Sequence, residues 1–169
     1  MDDRVRTLES LHQRYASIVF DKCVRVMGNS ADAEDAVQQT FMNAYRALPS
    51  FHDTGRGHLP WLYRIATNVC LKMIAVRRRQ GAAPRDAARA VSAPRTDPVE
   101  ALHARAIVEQ LVDLVDDKTL AIFVAHYVDG LDQGEIAADL GISRRAVVKR
   151  LTAMRDKASG LIPPEVRDG

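Results

Sequence analysis

The sequence has few of the residues that mark metal sites, disulfide-bonded proteins and membrane spans. Its 169 residues include two cysteines, Cys23 and Cys70, which are too far apart for a CxxC metal site. Aromatic residues make up 5%, and no window approaches the run of about 18 apolar residues that a membrane helix needs. We therefore expect both cysteines to be small buried apolar residues in a reducing compartment, without a disulfide.

Signals for secretion and for catalysis are also missing. The N-terminus, MDDRVRTLES, lacks the basic start and apolar core of a signal peptide, which predicts a cytoplasmic protein. There is no Gly-rich phosphate loop and no paired catalytic signature, and the five histidines are scattered without metal-ligand spacing. These absences argue against an enzyme, and we predict no catalytic residues, no metal and no cofactor.

Charge is plentiful, but its signs are segregated along the chain. The 24 Lys and Arg against 22 Asp and Glu give a formal net charge of +2. Residues 61–95 contain eight basic residues and one acid, and residues 140–157 contain six and one. Two basic centres on a near-neutral chain favour two contacts with a polyanion such as DNA. The alternative is that both are solvated helix faces.

Helical periodicity dominates the chain, and no convincing run of alternating strand residues occurs, so we predict an all-α fold. A first helix is predicted over residues 4–27, ending at Gly28. A second would be capped by Ser30 or Asp32 and run to about residue 48. After a loop, Pro60 is placed to begin a third helix, WLYRIATNVCLKMIAVRRR.

The composition divides the chain into two small helical domains. Residues 80–98 are rich in Ala, Pro, Arg and Asp and have no apolar period, which predicts a flexible linker. It would separate a domain over residues 1–79 from one over residues 99–169. In the second domain, helical periodicity resumes at Val99 and continues to Val128, where Gly130 ends the helix.

The third helix carries a polar row beside its apolar stripe. Trp61, Arg64, Asn68 and Lys72 fall at i, i+3, i+7 and i+11, apart from the stripe that contains Leu62. An aromatic ring, two cations and an amide in one row could stack an unpaired base and hold phosphate. The alternative is a tryptophan at the edge of the core with a solvated row beyond it.

The end of the second domain has helix-turn-helix spacing. A helix over residues 133–139, a turn at Leu140-Gly141-Ile142 and a helix capped by Ser143 fit that motif. Ile136, Leu140, Ile142, Val147, Leu151 and Met154 would form its core. Arginines in the first turn oppose the helix dipole, which points to an external anion such as DNA. The outward and flanking residues are Arg144, Arg145, Val148, Lys149, Arg150 and Thr152.

These motifs together resemble the extracytoplasmic-function (ECF) sigma factors, two-domain members of the bacterial sigma-70 family. The run VDGLDQGEIAADLGISRRAVVKRLTAMRDKA resembles their C-terminal domain, and NSADAEDAVQQTFMNAYRAL with WLYRIATN resembles their N-terminal domain. The resemblance covers roughly 140 residues in the family's order. It implies a protein that binds core RNA polymerase, recognises the −35 and −10 promoter elements and promotes DNA melting.

The resemblance assigns roles to the residues of the first domain. The acidic helix would dock on the clamp region of the largest bacterial RNA polymerase subunit, with its carboxylates exposed to basic partner residues. The third helix and the loop from His52 to His58 would capture an unpaired base of the −10 element. The polymerase contacts would be Asp32, Glu34, Asp35, Gln38 and Gln39, and the −10 contacts Trp61, Arg64, Asn68 and Lys72. N-terminal capping is the alternative for one or two of the acids.

In the second domain, the resemblance implies that the last helix reads the −35 element as duplex. Arg145, Lys149 and Thr152 would contact bases, while Arg144 and Arg150 would contact bases or phosphates. Lys72, Val148 and Ala153 depart from residues common in the family, so the −35 sequence cannot be taken from a relative; Val148 could touch a thymine methyl. The resemblance also implies an anti-sigma partner. The competing classes are a dimeric duplex-binding regulator and a protein-interaction adaptor with basic helices.

Overall fold

The structure, a computed structural model, describes residues 3–53, 55–81 and 97–157. These residues form helices and their connections, without a strand, which confirms the all-α prediction. Most of the predicted linker lies outside the described residues, as does the chain after Lys157. The α-helices are α1 Asp3–Met27, α2 Ser30–Ala47, α3 Leu59–Arg79, α4 Pro98–Leu111, α5 Asp117–Phe123, α6 Gln133–Leu140 and α7 Arg144–Lys157.

The first three helices pack against one another around a shared apolar core. Both cysteines are buried in it as free thiols, as predicted. A hydrogen bond between the Cys70 and Cys23 thiols, together with burial, raises the pKa of Cys70 well above its ordinary value, so this group stays neutral. The buried residues of α3 include Leu71 and Ile74 beside the predicted stripe of Leu62, so the apolar face of α3 is wider than the sequence pattern indicated.

Gly28 ends α1 at the predicted position, but the next cap differs from the prediction. Gly28 has φ of 74°, and its N–H donates to Val24 O at 2.8 Å. The residue that caps α2 is Asn29, whose Oδ1 accepts from the backbone N–H of Asp32 at 2.8 Å. The prediction of Ser30 or Asp32 as the cap is therefore wrong, because α2 begins at Ser30, one residue before the start that a Ser30 cap implies and three before the start that an Asp32 cap implies.

The second half of the chain also contains more helices than predicted. Instead of one helix from Val99 to Val128, α4 ends at Leu111 and a new helix begins after Asp116. Asp116 caps α5 by accepting from Thr119 N at 3.0 Å. The hydroxyl of Thr119 donates to the same carboxylate and lowers the pKa of Asp116. A wider turn over Val124–Val128 continues α5 to the loop before α6.

The helix α4 packs along α1, so the two halves of the chain share one core. Arg105 of α4 is buried and donates to Met27 O at 2.9 Å, where α1 leaves carbonyls without helical partners. A side chain on Gly28 would place its Cβ 3.1 Å from Cβ of Arg105. Gly28 is thus required both by its positive φ and by the close approach of α4.

Candidate nucleic-acid interface

The helix-turn-helix of α6 and α7 is built by strong local capping signals. Asp132 caps α6 by accepting from the backbone N–H groups of Gly134 and Glu135, and the Glu135 carboxylate accepts from Asp132 N at 2.8 Å. These backbone hydrogen bonds lower the pKa of Asp132. Gly141 ends α6 in the left-handed region with φ of 63°. The sequence prediction named Gly141 but missed this reciprocal capping box.

The predicted start of α7 is confirmed by its cap. The hydroxyl of Ser143 accepts from Ala146 N at 3.2 Å, and α7 begins at Arg144. Ile136, Val147, Leu151 and Met154 are buried, as the pattern predicted for the shared core. Ile142 is 37% exposed, so its prediction as a core residue is wrong; it lies after the left-handed Gly141, in the turn and outside the packed faces of both helices.

A basic face of α7 points away from this core. Its exposed residues include five of the six predicted −35 contacts: Arg144, Arg145, Val148, Lys149 and Thr152. Arg150 is different, because its Nη1 donates to Asp116 Oδ1 at 3.1 Å and to Thr119 Oγ1 at 3.0 Å. Arg150 therefore ties α7 to the start of α5. The structure brings the other five together on one side of the helix, which suits a major groove.

The four residues of the polar row on α3 differ in their exposure to solvent. Arg64, Asn68 and Lys72 are exposed, whereas Trp61 is half-buried against the apolar core. The Trp61 ring lies 4.7 Å from that of Phe51, which stacks on His58 at 4.4 Å. Trp61 thus belongs to an aromatic cluster at the loop before α3, and Arg64 and Asn68 lie further along the helix.

Arg64 and Asn68 line a cleft of about 470 Å³ between α3 and the helices α5 and α6. The same wall contains Tyr63 and Thr67. The polar-row pattern missed them because each lies one residue before a member of the row, on the neighbouring side of the helix. Burial raises the pKa of Tyr63, so its hydroxyl remains a hydrogen-bond donor at neutral pH. Exposed amide and guanidinium groups beside a phenol can hold the edge and the phosphate of an unpaired nucleotide.

The acidic start of α2 has one buried and two exposed carboxylates. Glu34 and Asp35 are exposed, but Asp32 has no exposed surface and forms an ion pair with Arg77 of α3. The expectation of an exposed carboxylate is therefore wrong for Asp32, since it holds α2 against α3. Gln38 is exposed and Gln39 is half-buried, where its amide donates to Asn43 Oδ1 at 3.0 Å.

A shallow apolar groove lies beside these residues, between α1 and α2. Its wall includes Glu34 and Gln38 together with Val37, Phe41 and Met42, whose side chain is 46% exposed. Sequence reasoning identified the polar members and missed the apolar ones. In the sequence, Met42 stands four residues after Gln38, and this helical spacing could have indicated that apolar side chains lie beside the polar ones.

No group of three or more metal-ligating side chains that could hold an ion occurs within residues 3–53, 55–81 and 97–157. Over the same residues, no helix is long and apolar enough to cross a membrane. The described residues form an all-helical arrangement with two basic surfaces, one on a helix-turn-helix and one on α3.

Comparisons with known proteins identify both halves of this arrangement. Residues 11–80 match sigma-70 region 2, and residues 105–157 match sigma-70 region 4. SigL of Mycobacterium tuberculosis, an ECF RNA polymerase sigma factor, is 26% identical over 145 residues, covering 85% of this chain and 82% of SigL. SigW of Bacillus subtilis, also an ECF sigma factor, is 29% identical over 153 residues, with 84% and 81% covered.

Two solved structures share this fold. One is CnrH in complex with the cytosolic domain of CnrY, at a TM-score of 0.53 and 29% identity, covering 92% of this chain and 87% of that one. The other is the sigma factor RpoE in complex with the anti-sigma factor NepR from Bartonella quintana, at 0.52 and 17% identity, covering 90% and 94%. The second similarity concerns the fold alone.

The chain belongs to the sigma-70 family. It is an ECF RNA polymerase sigma factor, a promoter-recognising factor that binds core RNA polymerase and DNA to initiate transcription. Proteins of this family are transcription regulators and act on RNA polymerase in the cell interior. The family resemblance and the function that it implied are confirmed.

Proposed function

We propose that this sigma factor divides promoter recognition between two faces, with α3 binding the unpaired −10 strand and α7 reading the −35 duplex. The observation that carries the proposal is the exposed row on α7 of Arg144, Arg145, Val148, Lys149 and Thr152 beyond a buried core. Basic side chains on the first turns of a recognition helix reach base edges and phosphates. Arg150 would position α7 through Asp116 rather than contact a base.

On α3, Asn68 and Arg64 would hold the edge and the phosphate of an unpaired −10 nucleotide, and Lys72 would contact the backbone further along. Trp61 would support the loop around His58 through its ring contacts. Stacking and unpairing a base each involve about 1–3 kcal/mol, so binding the melted strand offsets part of the cost of opening the duplex.

The polymerase contact would combine the exposed polar groups of α2 with the neighbouring groove. Glu34, Asp35, Gln38 and Gln39 would orient docking on the clamp region of the largest subunit, and apolar contact would come from Val37 and Met42. Asp32 would act indirectly, because its ion pair with Arg77 fixes the start of α2.

The proposal includes three further parts. The domain boundaries would be those predicted, 1–79 and 99–169, joined by the linker 80–98. An anti-sigma protein would hold the factor inactive, as the partners of the two solved relatives suggest. The chain would have no enzymatic activity and would reside in the cytoplasm, associated with the nucleoid when bound to polymerase.

The direct test is reconstitution with bacterial core RNA polymerase and transcription from a library of random promoter fragments. We expect transcripts that start at a fixed distance from a shared two-block motif and that are absent without this chain. A Gln38→Ala/Met42→Ala variant should bind core polymerase about tenfold more weakly, because truncating side chains at the centre of an interface weakens binding. The control is Gln13→Ala on an exposed part of α1. A chain that selects a palindromic duplex without polymerase would contradict the proposal.

A further inference from the structure

The loop before α3 contains an acid at the edge of a basic region. Asp53 is the only acidic residue within residues 50–80, which include one lysine and five arginines. It is exposed, and the loop leads directly into the helix that carries the proposed −10 contacts. A carboxylate at this place repels the phosphates of a DNA strand, so by itself it weakens binding. Such a departure from the local charge pattern is expected where a residue has a specific role.

The Asp53 carboxylate accepts hydrogen bonds from the backbone of its own loop. Its Oδ1 accepts from Gly55 N at 2.8 Å and from Gly57 N at 3.0 Å. A single oxygen atom therefore holds two peptide groups, which lie two and four residues further along the chain. Aspartate and asparagine make such bonds readily, because their short side chains reach nearby backbone N–H groups. The carboxylate of Asp53 is thus occupied within the loop.

The two glycines that donate these bonds have backbone conformations that other residues rarely adopt. The φ angle is 86° at Gly55 and 70° at Gly57. A Cβ at either position would meet nothing within 4 Å beyond its chain neighbours, so the glycines are required by their φ angles and not by close packing. Glycine also loses more conformational freedom than any other residue when it is ordered. Without the Asp53 acceptor, we expect this part of the loop to sample several conformations.

The loop leaves and rejoins the helical body at a pair of stacked rings. The ring of Phe51, before Asp53, lies 4.4 Å from the ring of His58, with an angle of 27° between the planes. The Phe51 ring also lies 4.7 Å from that of Trp61, in the first turn of α3. These contacts hold the two ends of the loop without Asp53. Asp53 can therefore determine the shape of the residues between the ends while the fold itself does not depend on it.

We propose that Asp53 is a positioning residue for −10 recognition, which holds residues 55–58 in one conformation before DNA binds. The inference rests on the proposed −10 role of α3. Asp53 touches neither base nor phosphate in this account, and acts through the backbone of Gly55 and Gly57. A loop that is already ordered does not lose conformational entropy when the unpaired base arrives. A loop that is ordered in only a fraction of the molecules binds more weakly in proportion to that fraction.

Two substitutions at this position separate the effect of the hydrogen bonds from that of the charge. Asp53→Asn keeps an Oδ1 acceptor and removes the charge, whereas Asp53→Ala removes both. If the charge alone mattered, the two variants would bind DNA more tightly by the same factor, whatever its sequence. The control is Asp3→Ala, which removes an equal charge from the exposed pair with Arg6 at 3.8 Å, at the start of α1.

NMR relaxation of the full chain measures the order of the loop without DNA. In Asp53→Ala, the order parameters of the Gly55 and Gly57 N–H groups should fall from about 0.85, typical of rigid backbone, toward about 0.6. Asp53→Asn and Asp3→Ala should stay close to the wild type. Because Asp53 is exposed and the rings hold the loop ends, all four proteins should unfold at similar urea concentrations. Equal order parameters in Asp53→Ala and the wild type would overturn the inference.

Open-complex formation by holoenzymes on promoters with single −10 substitutions gives the functional measure. Asp53→Ala should lower the ratio of rates between preferred and substituted promoters about three- to tenfold, and Asp53→Asn less than about twofold. Equal rate increases in both variants on every promoter would assign Asp53 to charge alone and overturn the positioning role. Asn68→Ala distinguishes the two failures. Loss of discrimination in Asn68→Ala but not in Asp53→Ala would contradict the role of Asp53 alone, whereas no loss in either would contradict the proposed role of α3.

Discussion

The two basic helices of this sigma factor, α7 and α3, differ in which parts of the chain hold their exposed surfaces in place. The exposed basic side of α7 is fixed by nearby residues: the Ser143 cap, the Gly141 turn and the packing of Val147 and Leu151. The surface of α3 depends on distant parts of the chain, because Arg64 contacts α6 and Tyr63 lies beside Lys22. The comparison indicates that the proposed duplex-reading face is fixed locally, whereas the proposed −10 surface also depends on contacts with the second half of the chain.

The largest effect is expected from removing a base contact of α7. Lys149→Ala should lower discrimination at the contacted −35 base by about 1–3 kcal/mol, roughly 5- to 150-fold, without changing the free energy of unfolding. The measurement is competition between promoters with single −35 substitutions, with Lys157→Ala at the end of the same helix as the control. Unchanged discrimination would remove Lys149 from the reading face.

The next effect concerns the melted strand. Asn68→Ala should slow open-complex formation about tenfold, corresponding to about 1.4 kcal/mol, because an amide contact to the unpaired base is lost. Binding to duplex promoter DNA should change little, since that contact forms only after melting. Stopped-flow measurement of opening beside equilibrium duplex binding separates the two steps. An equal loss in both would count against the assignment of Asn68.

A smaller effect tests whether the start of α7 is determined by its own capping residue. Ser143→Ala should lower the free energy of unfolding by about 1 kcal/mol, because the backbone N–H of Ala146 loses its side-chain acceptor. Ser143→Asp can form the same cap and should restore stability. Urea denaturation of the three proteins measures the difference. Equal midpoints for Ser143→Ala and the wild type would show that tertiary packing, and not the cap, fixes the helix start.

The smallest effect is a pH dependence at the start of α6. Backbone hydrogen bonds hold the pKa of Asp132 below its unfolded value of about 3.9. The ionised Asp132 carboxylate therefore makes its full contribution to the free energy of unfolding above the unfolded pKa. This contribution is lost as the pH falls through the lowered pKa of the folded state. Asp132→Asn keeps a capping acceptor but does not titrate, so it should lose less stability below about pH 4. Parallel acid titrations of unfolding that coincide would contradict this contribution.

Much of the fold could be predicted because its signals are local. Helical periodicity, Gly28, Gly141 and Ser143 gave correct ends for α1, α6 and α7. The cap of α2 was missed because Asn29, Ser30 and Asp32 are all good capping residues within four positions. The break before α5 was missed because the apolar period continues through Val112 and Val115, and the capping signal of Asp116 was not weighed against it.

The buried charges could not be predicted for a physical reason. The burial of Asp32 requires Arg77 from α3, and that of Lys22 requires Asp129 from the other half of the chain. Neither partner is marked by spacing, since such pairs form through tertiary packing. Arg150 was assigned to DNA for the same reason: α7 taken alone does not show that Asp116 lies within reach.

The most direct test of the division between α3 and α7 is promoter selection with holoenzymes that contain the wild type, Lys149→Ala or Asn68→Ala. From one random library, the wild type should select two sequence blocks at a fixed spacing. Lys149→Ala should lose information only in the upstream block, and Asn68→Ala only in the downstream block. Loss in the same block for both variants, or selection of a single palindromic block, would contradict the account.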